Sequence, residues 1–248
     1  MASSSQVRAS RREQLKSQRL ADAQKDRRSK IIMVAAAVVV LGLIIGVSFW
    51  GWYSAQANKG GNEQPPNANA AGNGIQAHPN WAGVPTLEIF SDYNCTHCRS
   101  ADIVLGPLID QLATDGQLNV IHHTTAGMAA TSFDAARAAA CADFQNLFLE
   151  YHHQLFRNQE EGFDYTMINQ TIPESIDLTG VALEEFRTCV ATGATAGFIT
   201  ATNRYAQKQG VTSTPSFFLD GVDVTEKLYS KTLNRYDPDL LRELLGLN

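Results

Sequence analysis

Positive charge is scarce after the N-terminal tail. The chain of 248 residues has 20 Lys and Arg against 25 Asp and Glu, a net charge of −5. Met1 to Lys30 alone holds nine Lys and Arg against Glu13, Asp22 and Asp26, so everything after Lys30 sums to about −11. No basic stripe follows, which excludes nucleic acid as a partner. Cysteine is rare too: Cys95, Cys98, Cys141 and Cys189 are all there is. With no second C-x-x-C and no H-x₃-H, the spacing of a structural zinc site is missing. His122, His123, His152 and His153 are therefore expected as strand and helix-surface residues, and no metal is expected.

One run lacks charge altogether. Ile31 to Tyr53 (IIMVAAAVVVLGLIIGVSFWGWY) is apolar throughout, and at 1.5 Å per residue such a helix crosses a hydrocarbon core of roughly 30 Å. Phe49, Trp50, Trp52 and Tyr53 gather at its far end, where amphipathic rings favour the headgroup layer. The basic tail 1–30 should stay cytoplasmic, placing the bulk of the chain outside. Ala55-Gln56-Ala57 offers a signal-peptide cleavage site instead. Signal h-regions span only about 7–15 residues, so a retained single-pass anchor is the expectation. No cysteine stands near the end of the run, which excludes a lipid-modified N-terminal cysteine.

Residues 54–83 hold almost no apolar side chains and are rich in Gly, Asn, Ala, Pro and Gln. Such a composition cannot offset its ordering entropy, and a flexible tether is expected. The remaining stretch, 84–248, suits one globular domain.

Within it, Cys95-Thr96-His97-Cys98 stands where a strand-like segment, Pro85 to Ser91, gives way to a helical pattern with Ile103, Val104, Leu108, Ile109 and Leu112 inward. A C-x-x-C at a strand–helix junction is the setting of a redox centre. Its first sulfur lies at a helix N-terminus, where unpaired N–H groups favour the thiolate, the nucleophile of disulfide exchange. Four cysteines allow three pairings. The close spacing selects Cys95–Cys98 with Cys141–Cys189, and an exported domain lets both persist.

The rest of the pattern supplies an element order. A second strand is predicted over Leu118–His123. A capping box at Thr131-Ser132-Phe133-Asp134 should open one helix carrying Phe133, Phe144, Leu147, Phe148, Tyr151 and Leu155 on a stripe with Cys141 inside it. A looser region follows from Asn158 to Gly180, then helices around Leu183–Val190 and Ala194–Gln209. Ser216–Leu219, Asp220-Gly221 and Val222–Val224 predict a hairpin with a two-residue turn. Asp237-Pro238 should open a last helix with Leu240, Leu241, Leu244 and Leu245 inward. The fold class is α/β: β–α–β, a helical block, then β–β–α.

Four stretches carry a resemblance. They are His78-Pro79-Asn80 leading to Phe90-Ser91-Asp92-Tyr93-Asn94-Cys95; Ala135 to Ala142 with Tyr151-His152; Leu183 to Cys189; and Gly210-Val211-Thr212-Ser213-Thr214-Pro215-Ser216-Phe217-Phe218. Over about 78–248 the chain resembles the DsbA-like thiol–disulfide oxidoreductases of the thioredoxin superfamily. The resemblance implies a thioredoxin-like fold with a helical insertion at about 131–209. It implies Cys95 as attacking thiol and Cys98 as resolving thiol, His97 favouring the Cys95 thiolate, and a cis Thr214–Pro215 bond offering Thr214 backbone groups to an extended substrate. Cys141–Cys189 closes a loop of 49 residues and is expected to be a structural staple, not a shuttle disulfide. Two departures stand out. Thr96 replaces a frequent proline. A buried acid often found six residues before the first cysteine is Ile89 here, while Glu88 should face the other side of the strand, which argues against a carboxylate-assisted proton relay.

The expected function is a membrane-tethered, extracytoplasmic dithiol oxidase acting on exported proteins with free thiols. No cofactor beyond its own redox-active disulfide is expected, the chain is expected to be a monomer, and the resemblance implies a quinone-linked membrane partner for reoxidation. The alternatives are a reductase or isomerase using the same site, or a thiol-based metal carrier or chaperone.

Overall fold

The computed structural model describes residues 61–247. The basic tail, the apolar run Ile31–Tyr53 and the first part of the expected tether lie outside the described residues. Among the described residues no helix is long and apolar enough to cross a membrane.

The sheet is built on β1 (Thr86–Ser91), whose alternation sets Leu87 and Ile89 toward one face and Glu88 and Phe90 toward the other. β2 (Asn119–Thr124) pairs with β1 in parallel, Ile89 opposite His122 and Phe90 opposite His123. On the other side β3 (Ser216–Leu219) runs antiparallel, Ile89 opposite Phe217, and β4 (Val222–Asp223) completes the order β2-β1-β3-β4. The β3–β4 turn is the expected pair: Asp220 at φ 49° and Gly221 at φ 78°, both left-handed as a tight hairpin twist requires. A short ribbon, β5 (Tyr229–Ser230) with β6 (Arg235–Tyr236), follows.

Two cores flank the sheet. One packs Leu87, Ile89, Val120 and Phe217 against Leu105, Leu108, Ile109 and Leu112 of α1 (Thr96–Thr114) and Leu241 of the last helix, Pro238–Leu244. Each fully buried side chain of this size contributes about 1.5–3 kcal/mol. Asp237 caps the last helix through Asp239 N, as its sequence indicates. The second core belongs to the helical block of residues 130–208: α2 (Ala130–Ala142), α3 (Phe148–Arg157), α4 (Ile172–Ser175), α5 (Gly180–Thr192) and α6 (Ala196–Lys208).

The structure departs from the sequence pattern in four places. The helix expected to run from Thr131 past Leu155 is two helices. α2 stops at Ala142, Asn146 turns left-handed at φ 56°, and α3 restarts at Phe148. The buried Asp143 at the break accepts from Asn67 N (2.8 Å) and Asn67 Nδ2 (2.9 Å), so its carboxylate binds another segment instead of continuing a helix. The capping box is also displaced. Ala129 is the N-cap, and Ser132 Oγ accepts from Ala129 N (3.1 Å) while donating to Asp92 Oδ1 (2.7 Å). The region from Asn158 to Gly180 is more ordered than expected, with a π-helical turn at Met167–Thr171 leading into α4.

The fourth departure is the tether. Its described part, from Gly61, packs onto the domain as a strap. Glu63 N donates to Ala194 O, and Ile75, fully buried, exchanges both backbone hydrogen bonds with His122 on the open edge of β2 (2.9 and 2.8 Å). Composition misleads here because one isoleucine and a set of backbone and asparagine hydrogen bonds replace the apolar area that the segment lacks.

Candidate active site

Cys95 is the N-cap of α1. Its backbone is extended (φ −85°, ψ 116°), and its Sγ accepts from Cys98 N at 3.4 Å. This is where the helix offers unpaired N–H groups to an anion. Cys98, one turn on, is buried, and its Sγ accepts from Asp92 N at 3.5 Å. Both thiols are free in this structure.

The two sulfurs are electrostatically unlike. The Cys95 thiol is pulled down to about 5, chiefly by the hydrogen bond from the Cys98 thiol; burial opposes this, and Thr214 and the backbone N–H groups of Cys98 and His97 add to it. Cys98 moves the other way. Burial and the neighbouring Cys95 push its thiol far above the ordinary range. One sulfur is a ready nucleophile near neutral pH, and the other holds its proton.

The remaining expected residues converge on this pair. Thr214–Pro215 is a cis peptide bond, and the Thr214 carbonyl oxygen lies 3.2 Å from Cys95 Sγ. His97 is exposed, and its help to the thiolate comes through its backbone N–H. A groove of about 580 Å³ runs beside Cys95 between Ala126–Met128 and Val211–Thr214. Cys141 and Cys189 are bonded, joining α2 to α5 with their Cα atoms 5.8 Å apart.

Sequence reasoning passed over the residues that fix this geometry. The buried carboxylate of Asp92 accepts from Asn94 N, Gly127 N, Met128 N and Ser132 Oγ at 2.7–3.0 Å, binding the groove loop to the motif. Gln159 Nε2 donates to the Cys95 carbonyl oxygen at 2.9 Å from the helical block.

The histidines expected at the surface are mostly buried. His123 stacks on Phe90 and bonds Asn73 O (2.8 Å) and Glu88 Oε2 (2.9 Å). Glu88 also accepts from Tyr205 Oη, and the His123 bond holds its carboxyl below the usual range. This confirms that Glu88 faces away from Asp102, Ile89 and the interior behind Cys98.

That interior holds a polar chain. Tyr93 Oη lies 2.7 Å from His152 Nδ1, His152 Nε2 lies 3.3 Å from Asp102 Oδ1, and His153 Nδ1 lies 3.0 Å from Asp102. His153 Nε2 continues to Asp110 Oδ2 at 2.9 Å. Burial works against the charge on His153, but the two carboxylates outweigh it and raise its pKa to about 10. Burial likewise works against Asp102, and its histidine partners outweigh it and hold the carboxyl well below the usual range. Asp102, His152 and His153 place one ligand atom each within 4.8 Å of one another. Each of those atoms is already engaged in the chain just described.

The thioredoxin family matches residues 82–236. The chain belongs to the thioredoxin family. Among curated proteins, this thioredoxin-family chain is 27% identical over 144 residues to a Rickettsia typhi protein named as a protein-disulfide oxidoreductase, covering 57% of this chain and 52% of that one. A Rickettsia prowazekii protein of the same name is 28% identical with the same coverage. The chain thus spans about half the length of the curated relatives it matches. Solved structures share the thioredoxin-like fold with its helical block. The MdbA thiol-disulfide oxidoreductase of Actinomyces oris superposes with a TM-score of 0.62 at 17% identity, covering 77% of this chain and 94% of that one. BdbD of Bacillus subtilis gives 0.55 at 18%, covering 76% and 97%.

Proposed function

We propose that this chain is a thiol–disulfide oxidoreductase working chiefly as a dithiol oxidase. The observation that carries the reading is the inequality of the two thiols: Cys95 pulled down to about 5 and Cys98 pushed up. A stabilised thiolate favours the reduced form, which makes the disulfide a better oxidant.

The chemistry follows from that geometry. With Cys95–Cys98 as a disulfide, a substrate thiolate attacks Cys95 Sγ, the Cys95–Cys98 bond breaks, and Cys98 takes up a proton. A second substrate thiolate attacks the substrate sulfur of the mixed disulfide, and Cys95 leaves as a thiolate. The substrate loses two electrons and two protons, and the motif gains two electrons. The groove beside Thr214 suits an extended polypeptide, whose backbone N–H can bond the Thr214 carbonyl.

The setting we propose is extracytoplasmic, with Ile31–Tyr53 as anchor, exported proteins as substrates, a quinone-linked membrane protein as reoxidant, and a monomer as the working unit. The apolar run and the Cys141–Cys189 disulfide support it, since such bonds persist in oxidising compartments. Equilibration of the full-length chain, in detergent, against glutathione tests the direction. A potential near about −120 mV establishes an oxidase, and one near about −270 mV overturns it in favour of a reductase.

A further inference from the structure

We propose that Asp102, His153 and Asp110 form the proton conduit of the resolving thiol Cys98, linking a buried cavity behind it to solvent on the side away from the substrate groove. The inference rests on the reading of Cys95 as attacking and Cys98 as resolving thiol.

The cavity is the first observation. It encloses about 30 Å³ and is lined by Cys98, Ser91, Asp102, His122 and His152. That is room for a water molecule, and the walls are polar enough to bind one. Ser91 Oγ and both ring nitrogens of His122 are buried there with no partner among the described residues. Burial keeps His122 neutral, pulling its pKa well below the ordinary value, so one ring nitrogen presents a lone pair.

The second observation is the route outward. Asp102 follows Cys98 by four residues on α1, one turn along the same face. From Asp102 the contacts run to His153 and Asp110, then to His78 Nε2 at 3.4 Å. His153 and Asp110 line both the cavity and a separate surface pocket between α3 and α4, bordered by Arg157 and Asp177. The crossing lies against the α1 backbone at Gly106: a Cβ there would stand 3.4 Å from both Asp102 Oδ1 and His153 Cε1. The other titratable groups lining the space are His122 of β2 and His152 of α3; Tyr93 bonds His152, and Tyr236 of β6 lies near the two thiols.

The step needing this conduit is the escape from a mixed disulfide. Cys98 Sγ gives its proton to a water in the cavity, which passes one on to the Asp102 carboxylate, and the resulting thiolate attacks Cys95 Sγ. The Cys95–Cys98 bond forms, the bond from Cys95 to the outgoing sulfur breaks, and that sulfur leaves as a thiolate. A thiol held protonated by burial cannot take this step at neutral pH without a proton path. The carboxylate therefore comes from the motif helix, one turn past Cys98, and not from β1 where Ile89 stands.

The test uses the full-length chain in detergent with glutathione disulfide. Rapid acid quench separates formation of the Cys95–glutathione adduct from its resolution by Cys98, from pH 5 to pH 9 in H₂O and D₂O. In Asp102→Asn and His153→Gln the ratio of resolution to formation should fall by about tenfold to a hundredfold at pH 6. It should then climb in proportion to hydroxide, with an altered solvent isotope effect. An unchanged ratio and pH slope in folded variants would overturn the conduit and leave the cluster a structural element. If Asp102→Asn does not fold, Asp110→Asn at the outer end should show the same fall, and an unchanged ratio there overturns the conduit equally. Failure of the underlying reading looks different: Cys98→Ser and Cys95→Ser would then trap mixed disulfides equally, whatever the pH slope.

Discussion

The carbonyl oxygen of Thr214 stands 3.2 Å from the Sγ of Cys95, although 119 positions separate them in the chain. A protonated Cys95 can donate to that oxygen, whereas a thiolate leaves it free for a substrate N–H. The state of one sulfur therefore sets what the neighbouring loop offers.

Titration of the reduced protein should show this directly. Thiolate absorbance at 240 nm should rise with a midpoint near pH 5, and it should vanish in Cys95→Ser. The sign for stability is fixed as well. An unfolded thiol titrates near about 8.5, so the folded pKa is depressed. The stabilisation of the reduced form by this group is full above that value and is lost as pH falls through about 5. A midpoint near 8 would remove the electrostatic basis of the oxidase reading.

The second disulfide should matter for folding and not for exchange. Cys141 is fully buried and bonded to Cys189 between α2 and α5. Replacing both by alanine should cost about 4 kcal/mol in urea unfolding by the chain-entropy relation. The Cys95–Cys98 potential should stay where it is. A shifted potential would instead mark this pair as a shuttle.

The strap should be sensitive at Gly74. A Cβ there would stand 2.5 Å from Ile121 Cγ2 and 2.7 Å from His123 Cε1. Gly74→Val should lower stability by about 1–3 kcal/mol, read as a fall in the urea midpoint. An unchanged midpoint would mean that the strap does not bind β2 as described.

Much of this was legible in the chain. The motif, the second disulfide, the β–α–β and β–β–α order and the Asp220-Gly221 turn rest on local chemistry: spacing, periodicity and turn residues. The cis proline loop was legible only through the family resemblance. What escaped was long-range and polar. Asp143 gave no sign that Asn67 would claim its carboxylate, and Asp92 gave none that four donors would converge on it. The Asp102–His153–Asp110 chain escaped as well, since His153 reads as a helix-surface residue and neither aspartate stands out in the pattern. Periodicity ranks such residues as surface because it weighs only hydrophobicity, and burial in a hydrogen-bonded network is invisible to it.

The pairing of Ile75 with His122 has a further consequence. β2 is the outermost strand of the four, and this single bridge occupies the His122 N–H and carbonyl that would otherwise point outward. An unguarded strand of that kind is a template for another chain. Cutting the protein at Pro85, where the composition first turns domain-like, would bare it. The resulting fragment would be prone to self-association along that margin even with its thiols intact.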